Sequence, residues 1–179
     1  MGAWGAFIMG FFGAVFAALT VYWQWHASGI ALAVPFVVFA AIGVAAHQVI
    51  RLPGDGIRPS ERAERTITWS SIAEGIGLFI ASNIVINIHR PDLLLPAMAL
   101  VVGLHFLPIA FAASFRPFYV LGTGLILGAI FGVLAGPPAG GAIAGFAAAG
   151  CLWIASAIAV RRDWRSKRAA MQASPEPCA

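Results

Sequence analysis

Two side chains in this sequence stand where chemistry would be costly to place without a reason. Glu74 is the only acidic residue well inside a long apolar run, and His105 lies near the middle of the next such run. Carboxylates in hydrocarbon are expensive. They face a bundle interior, take a partner, and mark ion or proton pathways. A carboxylate beside an imidazole can pass a proton along. The same pair can also serve as a buried polar contact that fixes the register of two helices. Pro108, three residues after His105, has no N–H, so the carbonyl of Leu104 loses its helical partner and a kink is expected there. Pro96 is expected to loosen the outer half of the same helix.

Other polar groups extend the candidate site. Asn83 and Asn87 are four residues apart and share a face, roughly opposite Glu74 at 100° per residue. Ser70, Ser71 and Ser82 lie on the same segment. Interhelical hydrogen bonding is the plain role for such residues. Polar groups on two sides also suggest that this third helix is central.

The remaining candidates point nowhere specific. His26 and His89 fall at one boundary of the apolar runs and His47 at the other, with no HxxxH or HxxE spacing among them. No metal and no cofactor is expected. Cys151 and Cys178 fit neither a disulfide framework nor a metal motif. The glycines of 136–145 lack the GKS/T ending of a phosphate loop. With no nucleophile–base pattern either, the chain is not expected to be an enzyme.

The elements that must hold Glu74 and His105 follow from composition. Hydrophobic residues make up 60% of the chain and charged residues 10%, against about 25% charged in soluble domains. A hydrocarbon core about 30 Å thick needs about 20 apolar residues per helix. Six spans are expected, at 3–25, 29–50, 67–88, 93–114, 117–136 and 139–160. The fold class is an all-α membrane bundle, with a six-helix domain over 1–162 and a basic, then disordered, tail over 163–179.

Charge supports that division. All but Arg90 of the eleven lysines and arginines fall on one side of the six-span arrangement. By the positive-inside rule both termini are then cytoplasmic. Tyr22, Trp23 and Trp25 sit at one interface and Trp69 and Trp164 at the other, as amphipathic rings prefer. The basic residues flank spans and form no separate domain, so nucleic acid is not an expected partner. Arg161, Trp164, Arg165 and Arg168 share a helical face, with Arg162 beside them. They are expected to anchor the chain at anionic lipid head groups.

The one sizeable loop opens on the turn signal Pro53-Gly54-Asp55-Gly56. Ser60 is the expected N-cap of the third helix, with Glu61 in its first turn and able to pair with Arg65. Short connections elsewhere make successive helices antiparallel neighbours. Gly124, Gly128, Gly132 and Gly136 recur every fourth residue in the fifth span, with Gly141 and Gly145 in the sixth and Ala6, Gly10, Ala14 and Ala18 in the first. Small residues so spaced let helix backbones approach closely in lipid. They are expected to hold the bundle, or a homo-oligomer, together.

The run Val101-Val102-Gly103-Leu104-His105-Phe106-Leu107-Pro108 resembles a phrase in small, uncharacterised polytopic inner-membrane proteins of bacteria. The similarity covers the third and fourth spans. It implies a bacterial inner-membrane location and adds weight to Glu74 and His105, but implies no substrate. Two functions are expected from different classes. One is a small-solute transporter or channel, proton-coupled through Glu74 and His105. The other is a non-catalytic membrane subunit or assembly protein.

Overall fold

The computed structural model describes residues 2–53, 60–113 and 115–173. Among them are six helices long and apolar enough to cross a membrane. They are α1 (Ala3–Trp25), α2 (Ile30–Arg51), α3 (Glu61–Asn87), α4 (Leu94–Ala113), α5 (Arg116–Ala135) and α6 (Ala139–Ala173), with a 3-10 turn at Pro91–Leu93 before α4. Where water is excluded, each backbone N–H and C=O must be satisfied within its own segment, which a helix achieves.

The boundaries follow local chemistry. Ser60 caps α3 as expected, its Oγ accepting from the N–H of Ala63 at 3.3 Å, with Glu61 and Glu64 in the first turn. Among the ion pairs of the described residues, the expected Glu61–Arg65 pair is not found. His26 ends α1 in the left-handed region and His89, just after α3, adopts it too. Those two histidines thus terminate helices. Gly136 ends α5 at φ 62°, a conformation that favours glycine. Pro96 lies in the first turn of α4, where no intrahelical N–H is needed. It therefore does not loosen the helix, and it packs against Gly132 of α5. The turn expected after Pro53 and the chain end beyond 173, Cys178 included, lie outside the described residues.

The helices are not arranged around α3. The main core joins Met9 and Phe16 of α1, Val102, Phe106 and Ile109 of α4, Leu121 and Leu125 of α5 and Leu152 of α6. Helix α6 touches α1, α2, α4 and α5, whereas α3 packs on α4 alone apart from the short turn between them. The expectation that α3 is central is thus corrected. Asn83 and Asn87 do not need neighbours: each amide donates 2.8 Å to a carbonyl one turn back, on Phe79 and Asn83 respectively.

The glycine stripes are spent inside the chain. A methyl on Gly128 would lie 2.9 Å from Cβ of Ala147, and one on Gly132 would lie 2.7 Å from the Gly140 carbonyl. Gly124 faces Cys151, and Gly141 and Gly145 of α6 face Gln24 and Thr20 of α1. The α5–α6 and α1–α6 seams are therefore close backbone contacts. Gly136 is no part of that packing, since nothing lies within 4 Å of the position its side chain would take.

Helix α6 also departs from expectation. It does not end near 160 but runs on to Ala173. Residues 161–172 are rich in Arg, Ala, Met, Lys and Gln, all good helix formers. Two charges on this extension are buried, Asp163 at 4% exposure and Lys167 at 5%.

Candidate functional site

Glu74 reaches α4 because α3 turns one narrow stripe towards it. Ile67, Ser70, Glu74, Gly77 and Leu78 follow the i, i+3, i+4 spacing of a single face. Gly77 permits close approach, since a methyl there would lie 3.0 Å from Val101. Ser70 then ties the backbones together, its hydroxyl donating 3.0 Å to the carbonyl of His105. That carbonyl is the neighbour of the one on Leu104 that Pro108 deprives of a partner. The expected cross-helix role of Ser70 is realised there.

Within this seam His105 Nδ1 lies 3.5 Å from Glu74 Oε2, with the two side chains 8% and 15% exposed. The sequence-level pairing of these residues is found in the structure. At 3.5 Å the contact is longer than the usual range for a direct hydrogen bond, about 2.7–3.2 Å. Nδ1 is buried and has no hydrogen-bond partner among the described residues. The ring itself is held edge-on to Phe106, with centroids 5.0 Å apart and planes at 78°. The imidazole is thus fixed on one side by an aromatic ring. Its nitrogen faces a carboxylate that a small side-chain rotation would bring into hydrogen-bonding range.

The pair lies on the wall of a hollow of about 280 Å³. Helices α1 and α3 form no extended seam with each other among the described residues, and both line the hollow. Its floor is Val102, His105 and Phe106 of α4 with Leu152 of α6. Ile8 and Phe12 of α1 face Ser71 and Gly75 of α3 across the opening, and all four are exposed. A side chain at Gly75 would meet nothing within 4 Å, so glycine there leaves the mouth wide. The lining is mainly apolar, and Glu74, His105 and Ser71 supply its polar groups. Asn83 and Asn87, further along α3, do not reach this hollow.

At the end of the bundle that holds both termini, two groups emerge that the sequence reading passed over. Asp163 accepts from the Ala3 N–H at 3.0 Å, at the start of α1. A methyl on Gly2 would collide with its carboxylate, at 2.7 Å. Lys167 donates to the carbonyls of Val49, Ile50 and Leu52 at 3.0, 3.1 and 3.0 Å, at the end of α2. Their signal in the sequence was modest: the sole lysine of the chain, and an aspartate four residues before it amid arginines. Of the expected lipid anchors, Arg162 stacks on Phe115 and Arg168 on Trp164, each at 4.2 Å from the ring centroid. At the opposite end, Arg90 is paired with Asp92 through two hydrogen bonds of 3.0 and 2.8 Å.

No family model matches this chain, and no curated protein and no solved structure matches it.

Proposed function

We propose that this protein is a small multi-pass carrier of a bacterial inner membrane, with both termini cytoplasmic, that exchanges protons for an amphipathic solute entering sideways from the bilayer. The observation that carries this reading is the Glu74–His105 contact on the wall of a hollow whose mouth lies between α1 and α3. An ionisable pair in a laterally open, mostly apolar cleft suits a ligand with an apolar body and a cationic group. When Glu74 takes up a proton its attraction for such a ligand falls, so proton binding and solute binding oppose one another. His105, in contact with the same carboxylate, is the second member of that relay. The charge split across the six helices supports the orientation.

The test is transport into everted membrane vesicles energised by a pH gradient, using a panel of lipophilic fluorescent cations. Uptake should depend on the gradient, collapse with a protonophore, and be lost in Glu74→Gln while the variant still folds. If vesicles with the protein behave like empty ones for every probe, the carrier reading falls.

One observation favours a second reading, a non-catalytic membrane subunit. Helix α3 leans on α4 alone and leaves Asn83 and Asn87 exposed. A membrane protein that co-purifies with the wild type and is released by Asn83→Leu would support it. Of the small-residue stripes expected to support a homo-oligomer, Gly124, Gly128, Gly132, Gly141 and Gly145 pack within the chain and Gly136 does not.

A further inference from the structure

Helices α5 and α6 carry a second surface, remote in sequence from Glu74. Down one face of α6 run Cys151, Ile154, Ile158, Arg161 and Arg165, spaced at three or four residues. The upper part borders an apolar groove of about 450 Å³, walled opposite by Phe118, Val120 and Leu121 of α5. The lower part borders a hollow of about 340 Å³ edged by Arg161, Arg162 and Arg165. The two are continuous, since Phe115, Pro117 and Ile158 border both. Arg116, at the start of α5, also borders the apolar groove. Arg162 lies over the Phe115 ring and holds that wall in place.

We infer that this groove seats one anionic phospholipid, its phosphate at Arg161 and Arg165 and an acyl chain along Ile158, Ile154 and Cys151. This rests on the membrane orientation proposed above, but not on transport.

Three observations converge on that occupant. Charge is segregated along the groove as it is along a lipid, basic at one end and apolar at the other. From Cys151 to Arg161 the helix rises about 15 Å at 1.5 Å per residue, the hydrocarbon depth of one leaflet, half of about 30 Å. The arginines are also available: among the described residues no carboxylate pairs with Arg161, Arg162 or Arg165, and Asp163 is turned to the start of α1. A soluble anion would have no use for the apolar half. A purely apolar molecule would have none for the guanidinium groups. General attraction to an anionic surface would need the arginines but not the groove.

Native mass spectrometry of the full chain released from detergent micelles tests this, with phosphatidylglycerol and phosphatidylcholine as probes. One phosphatidylglycerol per chain should be retained and phosphatidylcholine should not. The exposed double variant Arg161→Gln/Arg165→Gln should weaken retention by about 30-fold, from the usual contribution of a basic residue near an anionic head group. Ala155→Phe, which fills the groove and leaves every arginine, should weaken it comparably. Unchanged helical circular dichroism and melting would show that each variant still folds. Equal retention of the two lipids, or full retention by Ala155→Phe, would overturn the inference. Absence of cation uptake by the wild-type protein with phosphatidylglycerol retention intact would remove the carrier reading and leave this site standing, so the two proposals fail separately.

Discussion

Asp163 and Lys167 sit one turn apart on α6 and bind opposite poles of two other helices. Asp163 accepts at the N-terminal end of α1, and Lys167 donates at the C-terminal end of α2. A helix carries partial positive charge at its start and partial negative charge at its end. Each buried side chain therefore meets the end that complements its own sign. The ammonium has three donors, and each has a carbonyl. A buried charge of this kind is tolerable because its hydrogen bonds are complete.

Removing the lysine should cost stability without touching the hollow. Lys167→Met keeps much of the side-chain length and leaves the ends of Val49, Ile50 and Leu52 uncapped. We expect a loss of about 2 kcal/mol, the scale of hydrogen bonds to a charged group, read as a lower thermal midpoint in detergent. Asp163→Asn should be milder than Asp163→Ala, since the amide oxygen can still accept from Ala3. Equal midpoints for wild type and Lys167→Met would argue against the capping role.

Ser70→Ala removes the hydroxyl that joins α3 to the His105 carbonyl. Interhelical hydrogen bonds in membranes contribute about 0.6 kcal/mol on average and up to about 1.7. Because α3 has only α4 to lean on, we expect the loss to appear as faster amide exchange or proteolysis confined to α3, with the rest of the bundle unaffected.

Glu74→Gln and Glu74→Leu separate a titrating role from a structural one. The amide keeps hydrogen-bonding capacity towards His105 but cannot bind and release a proton. Both variants should abolish gradient-driven uptake, but only Glu74→Leu should lower the melting point, because it leaves Nδ1 of His105 facing an apolar group. Retained uptake in Glu74→Gln would remove proton exchange from the carboxylate.

Gly132→Leu should break the fold of the single chain and not merely its association. Its first side-chain carbon would press on the Gly140 carbonyl and on Ala144, with backbone on one side that cannot rotate away. Overpacking of this kind costs about 1–3 kcal/mol, and a whole leucine at a helix crossing lies at the upper end. Wild-type melting behaviour in this variant would contradict the close α5–α6 contact.

Reporter fusions in the 51–66 loop and at the C-terminus should both score cytoplasmic. A periplasmic score for either would sink the proposed orientation.

The sequence made the helix count legible because span length is set by apolar run length. It also made the Glu74–His105 contact legible, since consecutive antiparallel helices with a short link must place residues of equal depth side by side. Ser60 could be read for the same local reason. What could not be read was the arrangement of neighbours. The period of the Gly124–Gly132 stripe defines a face but not whether that face meets α6 or a second chain. Asn83 and Asn87 looked like reasons to bury α3, yet an amide can return to its own helix. Asp163 and Lys167 were hidden among surface arginines because their partners, Ala3 and Val49, lie more than a hundred residues away. No local pattern encodes a contact of that range.

The attachment of α1 and α2 to α6 bears on the order in which the chain is made. Helices α1 and α2 leave the ribosome well before Asp163 and Lys167, the groups that cap their ends, which follow more than a hundred residues later. Until Lys167 emerges, the carbonyls at the end of α2 must be held by water or by lipid head groups, and the start of α1 lacks its carboxylate. Completion of the α1–α2 hairpin therefore waits on translation of α6. A nascent chain truncated after residue 160 would contain all six apolar stretches and still be unfinished.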